Sequence, residues 1–335
     1  KDLNDLEGEY PIYGASGFIK KINIYHQDKD YVAVVKDGAG IGRTMYLPAK
    51  SSVIGTLQYL IPKEGIEPKY LYYAVKSSHL EKYYTGATIP HIYFKDYQNE
   101  PIILYGKDEQ IHVASILEKV EKIIEIRKQE LKQLEELIKS RFVEMFGDPV
   151  ENPHGFKKVA LSELAEIKIG PFGSLLHKED YIEDGHPLLN PSHIVDGKVV
   201  PDSKLTISDK KYNELEAYHL HTGDVVMGRR GEMGRCAVVP SEGFLCGTGS
   251  LLIRTRGEVT ADYIQKTISF PSFRKTIQDM AVGQTMPNLN VPIVSRFQII
   301  KPPIEVQNSY YKFVTQLDKS KLIIQKSLDE LETLN

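Results

Sequence analysis

Two cysteines in 335 residues, Cys236 and Cys246, are too few for a disulfide framework, which points to a reducing compartment. Their C-x9-C spacing fits no zinc pattern, and no further ligands stand close by, so no metal is expected. The ten histidines form no His-x-x-x-His or His-Glu-x-x-His cluster. His219-Leu220-His221 is expected to set two rings on one face of a strand, without an acid and thiol to complete a site, and exposed histidines are the default expectation. No run of about 18 apolar residues is present, which excludes a membrane-spanning helix. A secretory leader is not visible either, although the chain opens on Lys1 rather than Met, as a chain lacking its natural N-terminus would. Nor is there a strong charge of one sign: the net charge is −3, with 41% apolar and 26% charged residues. That balance argues weakly against a whole-surface polyanion binder but leaves room for a basic cleft, because arginine gathers at Arg229, Arg230 and Arg235.

What the chain does have is a repeat. Gly86-Ala87-Thr88-Ile89-Pro90-His91-Ile92 is answered by Gly283-Gln284-Thr285-Met286-Pro287-Asn288-Leu289, an offset of 197 residues that also pairs Ile103 with Ile300 and Gln110 with Gln307. Upstream the offset is 192, pairing Gly42-Arg43 with Gly234-Arg235, Pro48 with Pro240 and Gly55-Thr56 with Gly247-Thr248. A module of this length, repeated once and ending in a long helix, suggests two copies related by an approximate two-fold.

The first module reads as short strands (Tyr31–Val35, Gln58–Ile61) and a helix from Tyr70 to Tyr84 with Leu71, Val75 and Leu80 inward. Asp108 is placed as the cap of a long helix in which Leu117, Ile124, Leu131 and Ile138 recur every seven residues, joined by Val120 and Leu134. Arg127 and Arg141 interrupt that second column. Gly147-Asp148-Pro149 stops the helix after roughly 55 Å. The second module opens with a strand and short helix over Lys158–Leu164 and passes through a loop-rich region. Strands at Asp224–Met227, Cys236–Val239 and Ser250–Thr255 follow, and then a helix from Asp262 to Met280. After Pro302-Pro303 a second long helix carries Val314, Leu317, Ile324, Leu328 and Leu331 inward. The two long helices serve either as a hairpin that only holds the protein together, or as a spacer that also offers a docking surface. The expected fold class is α+β: two tandem α/β domains in a pseudo-two-fold arrangement, separated by two antiparallel coiled-coil helices. The expected boundaries are 1–106, 107–148, 149–303 and 304–335.

The order of these elements, with the Gly-x-Thr-x-Pro-x-Ile/Leu turn, a strand, a Glu-Gln or Val-Gln helix start and a heptad helix all repeated once, closely resembles the specificity subunit of a Type I restriction–modification enzyme. Ser140-Arg141-Phe142-Val143-Glu144-Met145-Phe146-Gly147-Asp148-Pro149 resembles that family's exit from its first conserved helix, and Tyr10-Pro11-Ile12-Tyr13-Gly14-Ala15-Ser16-Gly17 a recurrent loop of its recognition domains. The chain departs from the pattern in one place, since Lys158–Leu164 has no counterpart before Lys1 and the first domain looks incomplete there. The resemblance implies that two recognition domains each read one half of a split double-stranded DNA sequence in the major groove. It implies that the helices set the spacer and dock two methyltransferase subunits, with Leu117, Ile124, Leu131, Ile138, Leu317, Ile324 and Leu331 as the coiled-coil positions. A translocating restriction subunit would join the full complex, and the setting would be the prokaryotic cytoplasm.

The residues independently argue against catalysis. Asn190-Pro191-Ser192-His193 lacks the second proline and the aromatic of an adenine-methyltransferase tetrapeptide. Gly38-Ala39-Gly40-Ile41-Gly42-Arg43 is not a phosphate loop, and it precedes a strand rather than the helix that a dinucleotide site needs, so no cofactor is expected. For DNA contact the candidates are Lys36 and Arg43 in the first module and Arg229, Arg230 and Arg235 in the second, on glycine-rich turns at matched places. The plainer reading of each is a salt-bridged surface cation, and the repetition of Arg235 suggests structure. In Gly170–Lys178, Ser174 and Lys178 are placed on phosphate and His177 nearer a base, against the reading of a plain connector. Ser16–Lys21, with Lys20 and Lys21, is its first-module counterpart. Thr88, His91, Thr285 and Asn288 lie on the repeated Pro turn. Its shared part reads as architecture, so only the differing residues, His91 against Asn288 and Ala87 against Gln284, are left to discriminate bases. Two rivals remain: a stand-alone methyltransferase or nuclease, and a protein-interaction scaffold with incidental DNA affinity.

Overall fold

The computed structural model describes residues 7–86, 89–231, 233–281 and 288–334. It divides into two compact units, Lys1–Gln129 with Lys326–Asn335, and Glu130–Gln325, so each long helix contributes to both. Helix and sheet are mixed throughout, in an α+β chain.

In the first unit, Thr44–Leu47, Tyr31–Val35 and Leu57–Leu60 form an antiparallel sheet, and Gly17–Ile22, Tyr10–Gly14 and Ser52–Val53 a second one. Tyr31–Val35 is apolar at every position because both of its faces are covered. Tyr31, Ala33 and Val35 pack with Leu47, Val53 and Leu57, while Val34 meets Val75, Leu80, Ile92 and Tyr97 on the other side. The helix expected over Tyr70–Tyr84 is shorter. Glu67 caps Pro68–Ser77 by accepting the Tyr70 N–H, and the chain then turns left-handed at His79 (φ 48°) into a 3-10 turn, Leu80–Tyr83. Ser77 and Ser78 both donate their hydroxyls to the Ala74 carbonyl, a local alternative to the helical ladder that ends the helix there.

The second unit is built on a four-stranded antiparallel sheet of Cys236–Val238, Val225–Gly228, Ser250–Thr255 and Ala165–Ile169. The region expected to be loops supplies three strands, Tyr181–Ile182, His186–Leu189 and Thr206–Ile207, of a further five-stranded sheet, ordered His219–Leu220, Phe244–Cys246, His186–Leu189, Thr206–Ile207 and Tyr181–Ile182. Its strands run two to four residues, too short for a period of two to emerge from the sequence. Asp262–Met280 is two helices, Ala261–Ser269 and Pro271–Met280, because Pro271 forces Phe270 into extended backbone and then starts the next helix. Lys157–Ala160 pairs antiparallel with Gln298–Lys301. In the first unit the matching residues 101–104 belong to no strand, and Ile103 is 67% exposed where Ile300 is fully buried.

The first long helix spans Lys107–Phe146, 40 residues and about 60 Å, and Asp108 lies inside its first turn rather than capping it. The second spans Ile304–Leu334. Ile124, Ile138, Val314 and Leu328 are buried, and Leu117, Leu131, Leu317, Ile324 and Leu331 half-buried. The helices run antiparallel: in the second unit Tyr310 donates its hydroxyl to the Ile138 carbonyl (3.2 Å) and Lys321 pairs with Glu135 (3.2 Å). In the first, Lys128 pairs with Glu332 (2.7 Å). Arg141 sits in the seam by lying over the Phe313 ring and pairing with Glu144. Phe142, Phe146, Tyr263 and Tyr310 form an aromatic knot, with Phe146 centroids 5.1 Å from Tyr263 and 5.4 Å from Tyr310.

A buried glutamine ties each long helix to its domain. Gln307 accepts the Thr260 N–H (2.9 Å) and donates to the carbonyls of Pro302 (2.9 Å) and Glu258 (3.5 Å). Gln110 accepts the Glu67 N–H (2.9 Å) and donates to those of Tyr105 (2.8 Å) and Gly65 (3.1 Å). Alongside, Tyr263 donates to the Ile300 carbonyl and Tyr70 to that of Ile103. One acceptor and two donors are needed at this reach, and a carboxamide supplies them whereas a carboxylate cannot donate. Replacing Gln307 by Leu strands one N–H and two carbonyls in the interior. The expected destabilisation is about 1–3 kcal/mol, read by urea unfolding, and Gln307→Glu is expected to lose as much. A change below about 0.5 kcal/mol for both, within the ordinary range of surface substitutions, would contradict this account of the helix anchor.

Candidate nucleic-acid interface

The turns that carry the candidate cations are framed identically in the two units. In the first, the Lys36 N–H donates to Thr56, the Ile92 N–H donates to the Lys36 carbonyl, and the Val35 N–H to that of Arg43. In the second, Arg229 donates to Gly249, Leu289 to Arg229 and Gly228 to Arg235. Lys36 therefore corresponds to Arg229 and Asp37 to Arg230, an offset of 193, while Arg43 and Arg235 keep the 192 of the sequence comparison. Thr56 is matched by Gly249 rather than Thr248, a correction of one residue, since backbone bonds and not side-chain identity set the register. Glycine is required in the first turn: Gly38, Gly40 and Gly42 all have positive φ, and a Cβ on Gly42 would stand 2.6 Å from the Glu81 nitrogen.

On this shared frame the side chains differ. Asp37 and His91 face each other across an isolated bridge, and the carboxylate bonds the His91 Nδ1. His91 also packs on the Tyr93 ring (4.0 Å). At the equivalent bridge the second unit has Arg230 and Asn288. There the Arg229 Nε and the Asn288 Oδ1 are buried without a hydrogen-bond partner among the described residues. Burial, and secondarily the charge of Arg230, push the Arg229 pKa below its ordinary value. Orphaned polar atoms of this kind are costly unless something satisfies them. The chemistry on offer is also distinct: arginine donates in a fork that suits guanine and asparagine suits adenine, while a carboxylate accepts from cytosine.

Other candidates are placed differently. Arg43 donates to the Ala15 carbonyl (3.0 Å), and Arg235 is also engaged. Lys20 and Lys21 lie on the Gly17–Ile22 strand instead of a loop, opposite Ile12 and Pro11, and alternation directs them to opposite faces. Ser174 lies in a 3-10 turn, Gly173–Leu175, and His177 caps the next, Lys178–Asp180, where Asp180 accepts the His177 N–H; Ser174, His177 and Lys178 are all exposed. The turn residues Ala87, Thr88, Gln284 and Thr285 lie outside the described residues. The strand expected through His221 ends at Leu220, so the two rings part: His219 stacks on Tyr212 (3.7 Å) and His221 pairs with Glu242 (2.9 Å). His193 is buried rather than exposed, bonded to the Leu188 carbonyl. Burial raises the thiol pKa of Cys236 to about 11 and of Cys246 to about 12, so both stay protonated. The sequence reading missed Asp37 and Tyr93. The available signal was adjacency, Tyr93 to the repeated Ile92 and Asp37 to the candidate cation Lys36.

The chain matches the family model for the Type I restriction modification DNA specificity domain over residues 1–136 and again over 153–333. It is similar to the Type I restriction enzyme MjaVIII specificity subunit of Methanocaldococcus jannaschii, 22% identical over 98% of this chain and 84% of the relative. The MjaIX specificity subunit of the same organism is 22% identical over 82% of this chain and 68% of its own. Among solved structures, the S subunit of a Type I restriction–modification system from M. genitalium superposes with a TM-score of 0.61 at 18% identity, covering 100% of this chain and 89% of that one. A chain from a study of complex assembly and conformational transition of the type I R-M system gives 0.62 at 15%, covering 99% and 90%. With the domain matched twice and the same frame built twice, this chain belongs to the specificity subunits of Type I restriction–modification systems.

Proposed function

We propose that this chain is the non-catalytic DNA reader of its complex, each unit recognising one half of a split double-stranded target. The observation that carries the reading is the repeated backbone frame bearing different side chains, Asp37 and His91 in one unit, Arg230 and Asn288 in the other. Two half-sites of different sequence call for this combination of constant scaffold and variable surface. The orphaned Arg229 Nε and Asn288 Oδ1 support it, because a base edge or a phosphate would satisfy them. Lys36, Arg43, Arg229 and Arg235 serve the phosphates, with Lys20, Lys21, Ser174, His177 and Lys178 as further contacts.

The helices act as the spacer and as the platform for two methyltransferase subunits, to which restriction subunits are added in the complete prokaryotic, cytoplasmic assembly. Exposed apolar side chains support a docking role: Ile116 and Ile123 in the first unit, Leu137, Leu322 and Ile323 in the second.

Two outcomes follow. In selection of bound duplexes from a random pool, Asn288→Ala is expected to relax one base position by about 1–3 kcal/mol, in one half-site only; uniform weakening across all sequences would place Asn288 off the bases. Inserting one heptad in each long helix is expected to add about 10 Å and so about three base pairs of spacer, with both half-sites retained. Altered half-sites at constant spacing would refute this division of labour.

A further inference from the structure

The second unit contains a cleft of about 330 Å³ beside the start of the Cys236–Val238 strand, lined by Asp196, Arg235, Gln265, Lys266, Ser269 and Arg274. The first unit has a cleft in the corresponding place, of about 390 Å³, lined by Tyr73, Glu118 and Glu121 among others. The charges in the two have diverged. In the first, every cation is matched: Lys69 pairs with Glu118 (2.6 Å), Lys76 with Glu121 (2.6 Å), and the Tyr73 hydroxyl also donates to Glu121 (2.8 Å).

By the offsets the hydrogen bonds establish, Tyr73 is replaced by Lys266, Glu118 by Thr315 and Glu81 by Arg274, while Glu121 is answered by another acid, Asp318, and Lys69 and Lys76 by Asp262 and Ser269. The exchange of Glu81 for Arg274 shows in the packing. Gly42 abuts Glu81, and the equivalent Gly234 abuts the Arg274 side chain, 3.5 Å from its ideal Cβ to Cγ. Arg274 makes no ion pair among the described residues, and its Nε is buried with no partner. Lys266 likewise has no carboxylate within ion-pair reach among the described residues, although Asp318 attracts it. Burial is the main cause that holds its pKa below the usual lysine value. Gln265 donates to the Ser269 oxygen (3.3 Å) and to the Cys236 carbonyl (3.3 Å), and the Cys236 thiol lies 3.4 Å from the same serine oxygen, so the serine is held at the cleft wall by two neighbours. Asp196, exposed at the rim, is the one carboxylate lining the cleft among the described residues. Lys266 and Arg274 thus share the cleft with no carboxylate in ion-pair contact with either among the described residues, compensated only at longer range by Asp318 and Asp262 on Lys266, and an arriving anion would add the close counter-charge.

We propose that this cleft is a phosphate-binding site, in which Arg274 and Lys266 take the phosphate oxygens and the Ser269 hydroxyl adds a neutral donor. A tetrahedral oxyanion suits this lining because a guanidinium donates to it in a planar fork while an ammonium acts on it as a compact point charge. The phosphate belongs either to the backbone of bound nucleic acid or to a free phosphate. Only the first source depends on the chain being a DNA reader.

The test uses the full chain and inorganic phosphate, titrated against chloride at constant ionic strength while thermal unfolding is followed. Phosphate is expected to raise the unfolding midpoint of the wild type saturably. Arg274→Gln and Lys266→Gln are each expected to lose that rise, and Lys275→Gln, an exposed neighbour, to keep it. Without phosphate the two cleft variants are expected to unfold no earlier than wild type, since each removes a partly buried cation that makes no ion pair among the described residues, so a lost response is not lost folding. Duplex binding then identifies the source. If Arg274→Gln also lowers the slope of log affinity against log salt by about 0.9, the phosphate is the DNA backbone. An unchanged slope assigns the site to free phosphate. No response in the wild type, or a full response in both cleft variants, overturns the proposal.

Discussion

The constraint on which the rest depends is the satisfaction of buried backbone groups where each long helix leaves its domain. A helix start leaves N–H groups without partners, and the chain arriving at it leaves carbonyls. Here one carboxamide, Gln307 or Gln110, closes the set with an acceptor and two donors, and a tyrosine beside it takes one more carbonyl. Because the bonds run to the cap of a helix further upstream, Ala261–Ser269 or Pro68–Ser77, and to the segment just before the long one, a shift of the long helix breaks several at once. A long helix fixed this firmly at its root suits the spacer role proposed for it.

The same economy holds at the candidate interface. The frame is made of backbone hydrogen bonds, which do not depend on side-chain identity, so the residues at the bridge are free to change. Asp37 with His91 and Arg230 with Asn288 are the outcome. The clefts at Tyr73 and Lys266 also differ in charge pairing, with the lysines of one held in ion pairs and Lys266 and Arg274 of the other in none among the described residues. A duplicated fold thus keeps its skeleton while its two copies carry different side-chain chemistry.

Much of this was legible in the sequence, and the limits have physical causes. The long helices were plain because heptads repeat over many turns, and Tyr31–Val35 because a strand covered on both faces is apolar throughout. The paired glutamines were found as a repeat, but their role was not, since a hydrogen-bonding hub leaves no periodic trace. The breaks at His79 and Phe270 were read as continuous helix, although Pro271 signalled the second. Three strands of the five-stranded sheet, Tyr181–Ile182, His186–Leu189 and Thr206–Ile207, were read as loop because strands of two to four residues carry no pattern. At the interface the arginines and the His91–Asn288 difference were visible. Asp37 and Arg274 were not, because only folding brings Asp37 to His91 and Arg274 to Lys266.

The central claim is that each unit reads its own half of one split sequence. The most direct measurement is to express the chain with its adenine methyltransferase partner in a host lacking that activity, map methylated adenines across the genome, and repeat with the second unit exchanged for that of a relative. The account predicts a split motif that appears only with this chain, and an exchange that rewrites one half while leaving the other half and the spacer intact. A motif rewritten in both halves by that exchange, or methylation that does not depend on the chain, would contradict it.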